Sequence, residues 1–166
     1  MKTKDLVYIA MYLALFLILD YMTQIIPLLQ MPSGGSVGFS VVALLLASYH
    51  LGYKKGLVVA LLSIYLQYLI GGIYVVHPIQ FLLEYPLAFG LYGLAVLIPN
   101  TKLKNYKIYW GIIFSNLIRM VLHIVAGVYF WQAGWVGSIA YNGPYMMMTL
   151  LISFILVPLV IKRLKF

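Results

Sequence analysis

Apolar runs close to the length of a bilayer-spanning helix alternate along this chain with short clusters of glycine, proline and charge. A spanning helix needs about 20 predominantly apolar residues, and segments of that kind fall at 6–26, 37–50, 57–72, 79–97, 108–131 and 143–161. The stretches "PLLQMPSGGS", "GYKKG", "GG", "PNTKLKNYK" and "QAGW" punctuate them, each rich in residues that end helices or form turns. The second and third runs are short, which points to a tilted, broken or partly re-entrant segment. The pattern predicts an all-α, integral membrane six-helix bundle, folded as a single transmembrane domain over 1–166.

Composition sharpens this. The chain is 64% hydrophobic and 8% charged, with a mean hydropathy of +1.02. Soluble domains carry about a quarter charged residues, so a water-soluble globule is excluded. There is no cysteine, which removes disulfides, thiolate catalysis and Cys-ligated metal centres. The first apolar run has no small-residue cleavage site after it, so it is expected to be a retained helix.

The net charge of +8 is informative through its placement. Lys2 and Lys4 precede the first run, Lys54 and Lys55 lie between the second and third, and Lys102, Lys104 and Lys107 between the fourth and fifth. Lys162, Arg163 and Lys165 follow the sixth. With six alternating helices these four places share one side, and the opposite connections hold no Lys or Arg. Such an asymmetry marks the cytoplasmic face and predicts both termini inside, in a multi-pass protein of the cell membrane. The partner of this charge is then the lipid bilayer; nucleic acid is not expected. No phosphate-binding loop of the Walker type is present, so ATP hydrolysis by that route is excluded.

Only three carboxylates occur, Asp5, Asp20 and Glu84, and Glu84 lies inside "YVVHPIQFLLEYPLAFGLYGLAVL". A charge at the centre of a spanning helix costs roughly 2.5–3.5 kcal/mol on insertion scales. At ~1.5 Å per residue Glu84 lies on the order of 10 Å below His77. His123 falls about two turns below Trp131 by the same helical spacing. Tyr141 and Asn142 lie where the sixth segment begins, and Tyr74 in the connection before the fourth. Glu84, Tyr85, His123, Trp131, Asn142 and Tyr74 therefore share one depth in the outer half, and their convergence on one cavity is the expectation.

Each also has a plain structural role to weigh. Glu84 could be ion-paired inside the bundle with Arg119, and His123 could be a core histidine. Arg119 shares a helix face with His123 but lies deeper, which favours a structural ion pair. Asp20, near a helix end, reads as structural, and His50 as a helix-end cap. Trp131, Trp135, Tyr74 and Tyr85 could be aromatics of the membrane interface, and Met146, Met147 and Met148 apolar filler.

The polar set suits binding more than catalysis. A carboxylate among aromatic faces fits an organic cation, and Asn, His and Tyr can read a polar heterocycle. His77, Glu84 and His123 supply three metal ligands at most and no HExxH signature is present, so no metal or other cofactor is expected. No serine sits in a recognisable nucleophile elbow. In the first helix Ala10 and Ala14 share a face in the small-xxx-small spacing that lets helices approach closely.

The stretch "GGIYVVHPIQFLLEYPLAFGLYGLAVL", together with "PSGGSVGFS", "RMVLHIVAGVYFW" and "YNGPYM", resembles the thiamine-specific S components of energy-coupling-factor (ECF) transporters. The resemblance covers most of the chain in the same order. It implies a non-enzymatic subunit that binds thiamine, or a related cationic vitamin, in an outward-facing cavity. It also implies a transmembrane scaffold subunit and two cytoplasmic ATPase subunits as partners. By the same resemblance Glu84 pairs with the cationic thiazolium, Trp131 stacks on the ligand, and His123 and Asn142 are polar pocket residues, Asn142 at the aminopyrimidine. Tyr74 and Tyr85 become pocket walls, and Ala10 and Ala14 the face that meets the scaffold.

Three positions depart from the pattern. Ser63 stands where relatives carry a tryptophan in the third helix, Gly137 where they carry a pocket tyrosine, and "MPSGGS" lacks a covering tryptophan; Tyr65, Tyr141 and Trp135 are the candidates to compensate. The alternatives at this point are an S component for a thiamine precursor or another water-soluble vitamin, a small intramembrane enzyme using Glu84 and His123 as acid and base, and a purely structural membrane subunit.

Overall fold

A computed structural model describes residues 2–31, 35–70, 72–104 and 106–164. Residues 32–34 of the first long connection, Gly71 of the Gly-Gly break and Lys165 of the basic terminus lie outside the described residues. Six spans follow one another, as the apolar runs lead one to expect. They are α1 (Thr3–Ile25), α2 (Val41–Leu51), α3 (Tyr53–Leu69), a fourth span in two pieces, α4 (Pro78–Leu82) and α5 (Ala88–Gly93), then α6 (Trp110–Phe130) and α7 (Gly134–Leu164). Among them α1, α6 and α7 are each long and apolar enough to cross a membrane.

Length and burial explain one another. In α2 every residue from Val41 to Ser48 is buried, which is what a helix with no polar face demands. It runs through the middle of the bundle against α1, α3, α5 and α7. By contrast, α1 buries only Ile9, Phe16 and Thr23, one residue every seven. That is a single narrow stripe along a helix. Leu6, Val7, Met11, Ile18 and Tyr21 on its remaining surface are exposed, as they can be only in an apolar medium.

Buried polar side chains lock the spans together. Ser48 Oγ donates to the Gly93 carbonyl at 2.8 Å and accepts from Val96 N–H at 3.2 Å, so it serves the backbone groups left open where the fourth span ends. Asp20 accepts from Ser40 Oγ at 3.0 Å and Gln67 Nε2 at 3.4 Å through one oxygen, and from Gln24 Nε2 at 3.2 Å through the other. It therefore ties α1 to the entry of α2 and the exit of α3, the structural role its position suggests. At the opposite end Lys55 bridges to Asp5 at 2.6 Å, and Tyr12 Oη meets His50 Nδ1 at 2.9 Å.

The backbones of α3 and α5 approach closely. A Cβ on Gly93 would lie 2.6 Å from Leu57 Cα and 2.8 Å from the Gly56 carbonyl carbon, and one on Gly56 would lie 2.8 Å from the Gly93 oxygen. Two glycines facing each other set this crossing, as small residues do between membrane helices.

Three elements differ from the sequence expectation. The second helix begins at Val41, not at 37, because the chain first makes a three-residue turn, Phe39 N–H donating to the Val37 carbonyl at 2.8 Å, while Gly38 N–H donates to Thr149 Oγ1 at 2.8 Å. "PNTKLKNYK" is not a plain loop: β1 (Thr101–Leu103) and β2 (Tyr106–Ile108) pair antiparallel with Lys102 opposite Lys107. The sixth helix starts at Gly134 rather than 143 and continues through Pro144. A helix interior can absorb one proline at the loss of one backbone bond, and in a bundle neighbouring groups make good the loss.

Candidate functional site

The fourth span owes its shape to its prolines. Pro78 occupies the first turn of α4, where its missing N–H costs nothing, and the His77 ring caps that turn by accepting from Ile79 N–H at 3.1 Å. Eight residues on, Pro86 cannot sit in a regular α-turn without colliding with the carbonyl four residues before it. The chain instead widens into a π turn over Leu83–Leu87, a deviation frequent at functional positions. Glu84 and Tyr85 lie in this turn, Glu84 buried and Tyr85 partly buried.

Hydrogen bonds then fix both side chains. Gln80 Nε2 donates to Glu84 Oε2 and, at 3.2 Å, to the Tyr74 carbonyl, while Gln80 Oε1 accepts from Val76 N–H at 3.1 Å. Tyr85 Oη accepts from Tyr74 N–H at 3.1 Å. The other carboxylate oxygen, Glu84 Oε1, lies 3.8 Å from His123 Nδ1, and the Trp131 indole approaches the same carboxylate.

The facing wall comes from α6 and α7, which pack tightly because Gly127 leaves room: a Cβ there would meet Ser138 Oγ at 2.1 Å. Ser138 Oγ donates to the Ile124 carbonyl at 2.8 Å. Asn142 donates to the Ser138 carbonyl at 3.0 Å and accepts from Tyr145 Oη at 2.6 Å. Tyr141 stands edge-on to Tyr145, ring centres 5.9 Å apart, and a Cβ on Gly35 of the first long connection would meet the Tyr145 ring at 2.9 Å.

Between these walls opens a cavity of about 660 Å³, lined by Tyr74, Glu84, Tyr85, His123, Gly127, Trp131, Ala133, Gly137, Ser138, Tyr141, Asn142 and Tyr145. All six residues singled out in the sequence, Glu84, Tyr85, His123, Trp131, Asn142 and Tyr74, line it. Ala10 and Ala14 lie elsewhere, exposed on α1. Of the candidate substitutes for missing aromatics, Tyr141 is on the cavity wall. Tyr65 instead faces a separate apolar groove with Tyr68 and Phe81, and Trp135 is exposed away from the lining. Ser63 is fully buried and bonded to the Ala60 carbonyl at 2.8 Å, while Gly137 does line the cavity.

One expectation is corrected. Arg119 forms no ion pair with a carboxylate among the described residues. It donates to Tyr92 Oη at 3.2 Å and towards His123 Nε2 at 3.5 Å, and stacks 5.1 Å over the Phe89 ring. One turn below His123, its guanidinium is nearer these aromatic groups than the carboxylate of Glu84.

Gln80, Ser138 and Tyr145 were not singled out in the sequence, although a signal exists for each. Gln80 is four residues before Glu84 and so on the same helical face. Ser138, Tyr141, Asn142 and Tyr145 follow the i, i+3, i+4, i+7 spacing of one helix stripe. That stripe straddles position 143, where the sixth apolar run begins, so three of its four residues fall outside the run.

A buried carboxylate, aromatic faces and a few amide and hydroxyl groups around one opening form a small-molecule pocket with a preference for positive charge. Fold and cavity together define a polytopic membrane protein with a pocket of solute size, α1, α6 and α7 each being long and apolar enough to cross a bilayer. Residues 6–166 match the family described as thiamine transporter protein (Thia_YuaJ), and the chain belongs to this family; it is a transport protein of the bacterial membrane and not an enzyme. It is 30% identical to thiamine transporter ThiT of Bacillus subtilis over 89% of this chain and 84% of that one. A shorter match, 36% identical over 45% of each chain, is to thiamine transporter ThiT of Lacticaseibacillus paracasei. The solved structure of ThiT from Listeria monocytogenes shares the fold, with a TM-score of 0.71 at 22% identity, covering 96% of this chain and 93% of that one.

Proposed function

We propose that this chain is the substrate-binding subunit of an ATP-driven importer and holds thiamine in the cavity between the fourth span, α6 and α7. The observation that carries the reading is a carboxylate, Glu84, buried in an aromatic-walled cavity of a chain from the thiamine transporter family. The thiazolium ring of thiamine is a permanent cation. Glu84 pairs with it, Trp131 stacks on the ligand, and Tyr74 and Tyr85 close the sides. His123 lies beside the carboxylate as a polar neighbour. Asn142 spends one lone pair of its amide oxygen on Tyr145, and the other is free to accept from the exocyclic amine of the aminopyrimidine.

The end without Lys or Arg faces outward in this reading, and the basic end with both termini faces the cytoplasm. ATP is hydrolysed by two partner ATPases, coupled through a membrane scaffold subunit that docks on the Ala10–Ala14 face of α1. Both alanines are exposed, so the face is open to another helix. Ala14→Trp is expected to abolish co-purification with the scaffold and transport, while thiamine affinity of the isolated subunit stays unchanged. Loss of binding with assembly preserved would instead assign Ala14 to the fold.

The proposal is tested on the purified chain by titration with thiamine, thiamine precursors and other water-soluble vitamins, following tryptophan fluorescence. Saturable quenching by thiamine at nanomolar concentrations, with the ligand recovered chemically intact, is the expected result. Binding of a different vitamin and not of thiamine would sink the assignment.

A further inference from the structure

Gln80 is fully shut off from solvent, at 0% exposure, and sits behind the cavity wall rather than on it. Its amide has no group to spare. The oxygen accepts from Val76 N–H at 3.1 Å, and the nitrogen donates to the Tyr74 carbonyl at 3.2 Å and to Glu84 Oε2. An amide nitrogen carries two donors, so both are in use. A single side chain thus connects the carboxylate to the extended stretch that carries Tyr74.

The choice of an amide has a physical reason. An ionised carboxylate in a low-dielectric interior needs donors to compensate lost water. Lys or Arg would supply them, but would also neutralise the charge and repel a cationic ligand. Glutamine donates without a formal charge, so the anion is held while its field remains available to the cavity. Anchoring one oxygen also restricts the flexible glutamate before the ligand arrives, which lowers the ordering cost of binding.

We infer that Gln80 is the positioning residue of the cation site: it fixes Glu84 through Oε2, leaves Oε1 towards His123 and the cavity, and registers the Tyr74 wall to the same carboxylate. This rests on Glu84 being the partner of the charged ring.

The test compares thiamine with its thiophene isostere, whose ring carries no charge, in wild type, Gln80→Met, Glu84→Gln and the double variant. Losing a hydrogen bond to a charged group corresponds to roughly a 10- to 100-fold weaker thiamine affinity in Gln80→Met. The neutral isostere should be affected much less, and Gln80→Met should cost much less in the Glu84→Gln background, where the charge is gone and only the Tyr74 anchor remains to be lost. Equal weakening of both ligands, or losses that multiply in the double variant, would overturn the inference and make Gln80 a fold residue. Should Gln80→Met not fold, Gln80→Asn keeps the amide but cannot reach Glu84, and must show the same selective loss; unchanged discrimination refutes the role. A wild type that ignores thiamine refutes the ligand assignment itself, whereas a binding wild type with an indifferent Gln80 variant refutes only this inference.

Discussion

Glu84→Gln is expected to weaken thiamine binding by about 30- to 4,000-fold, because removing one partner of a buried charge pair costs roughly 2–5 kcal/mol. The side chain keeps its size and its place in the π turn, so the change acts on charge and little else. It still has an oxygen to accept from Gln80, so the extended stretch at Tyr74 stays anchored. Stability should move the other way. A buried anion with few donors is held at a cost, and its neutral isostere escapes that cost. The unliganded variant should therefore unfold at the same temperature as wild type or above it, while the stabilisation conferred by added thiamine shrinks in step with affinity. Thermal unfolding with and without thiamine measures both effects in one experiment. Unchanged affinity would mean that the carboxylate does not meet the cationic ring.

A large effect on folding is expected away from the cavity lining, at Gly93→Val. The nearest atoms to a Cβ there are backbone: Leu57 N and Cα at 2.7 and 2.6 Å, with the Gly56 carbonyl carbon at 2.8 Å. No side-chain rotation relieves such contacts, so α3 and α5 must separate, and the Ser48 bond to the Gly93 carbonyl is strained with them. Overpacking of this kind costs roughly 1–3 kcal/mol and more when backbone must move, so the upper end is expected. Gly143→Ala provides the opposite case. Nothing lies within 4 Å of its Cβ position, and replacing a helix-interior glycine by alanine stabilises by roughly 0.5–1 kcal/mol. Detergent-solubilised variants compared by thermal unfolding should fall on opposite sides of wild type. A Gly93→Val protein as stable as wild type would contradict the close crossing.

The bundle was legible because a bilayer imposes a simple rule of length and polarity, and six runs obey it well enough to be counted. Glu84, His123 and Trp131 could be placed at one depth by counting residues along helices of known rise. What escaped depends on contacts that a linear pattern does not carry. The lysines of "TKLKNYKI" hid a strand pair whose alternation is visible only once both arms are set side by side. The stretch from Gly134 to Asn142 falls outside the sixth apolar run yet belongs to its helix, which continues through Pro144. Arg119 was paired in expectation with a carboxylate, whereas rings from the fourth span and its own helix surround it. Asn142 has the polar chemistry expected of it, but its hydrogen bonds to Ser138 and Tyr145 follow from the tight α6–α7 contact at Gly127.

The widened turn at Leu83–Leu87 bears on how this chain can change over evolutionary time. A π turn holds one residue more than the α-helix around it, so it behaves as a single-residue insertion retained in place. Deleting any one residue there would restore a uniform helix and rotate one side against the other by about 100°. Gln80 lies before the turn, whereas Ala88, Phe89 and Tyr92 lie after it and are buried in the core. Either the pocket set or the core set would then face the wrong way. Substitutions within the turn change chemistry at one position, but a one-codon deletion changes which face of the span meets the ligand. Length in this short stretch is therefore constrained more tightly than sequence.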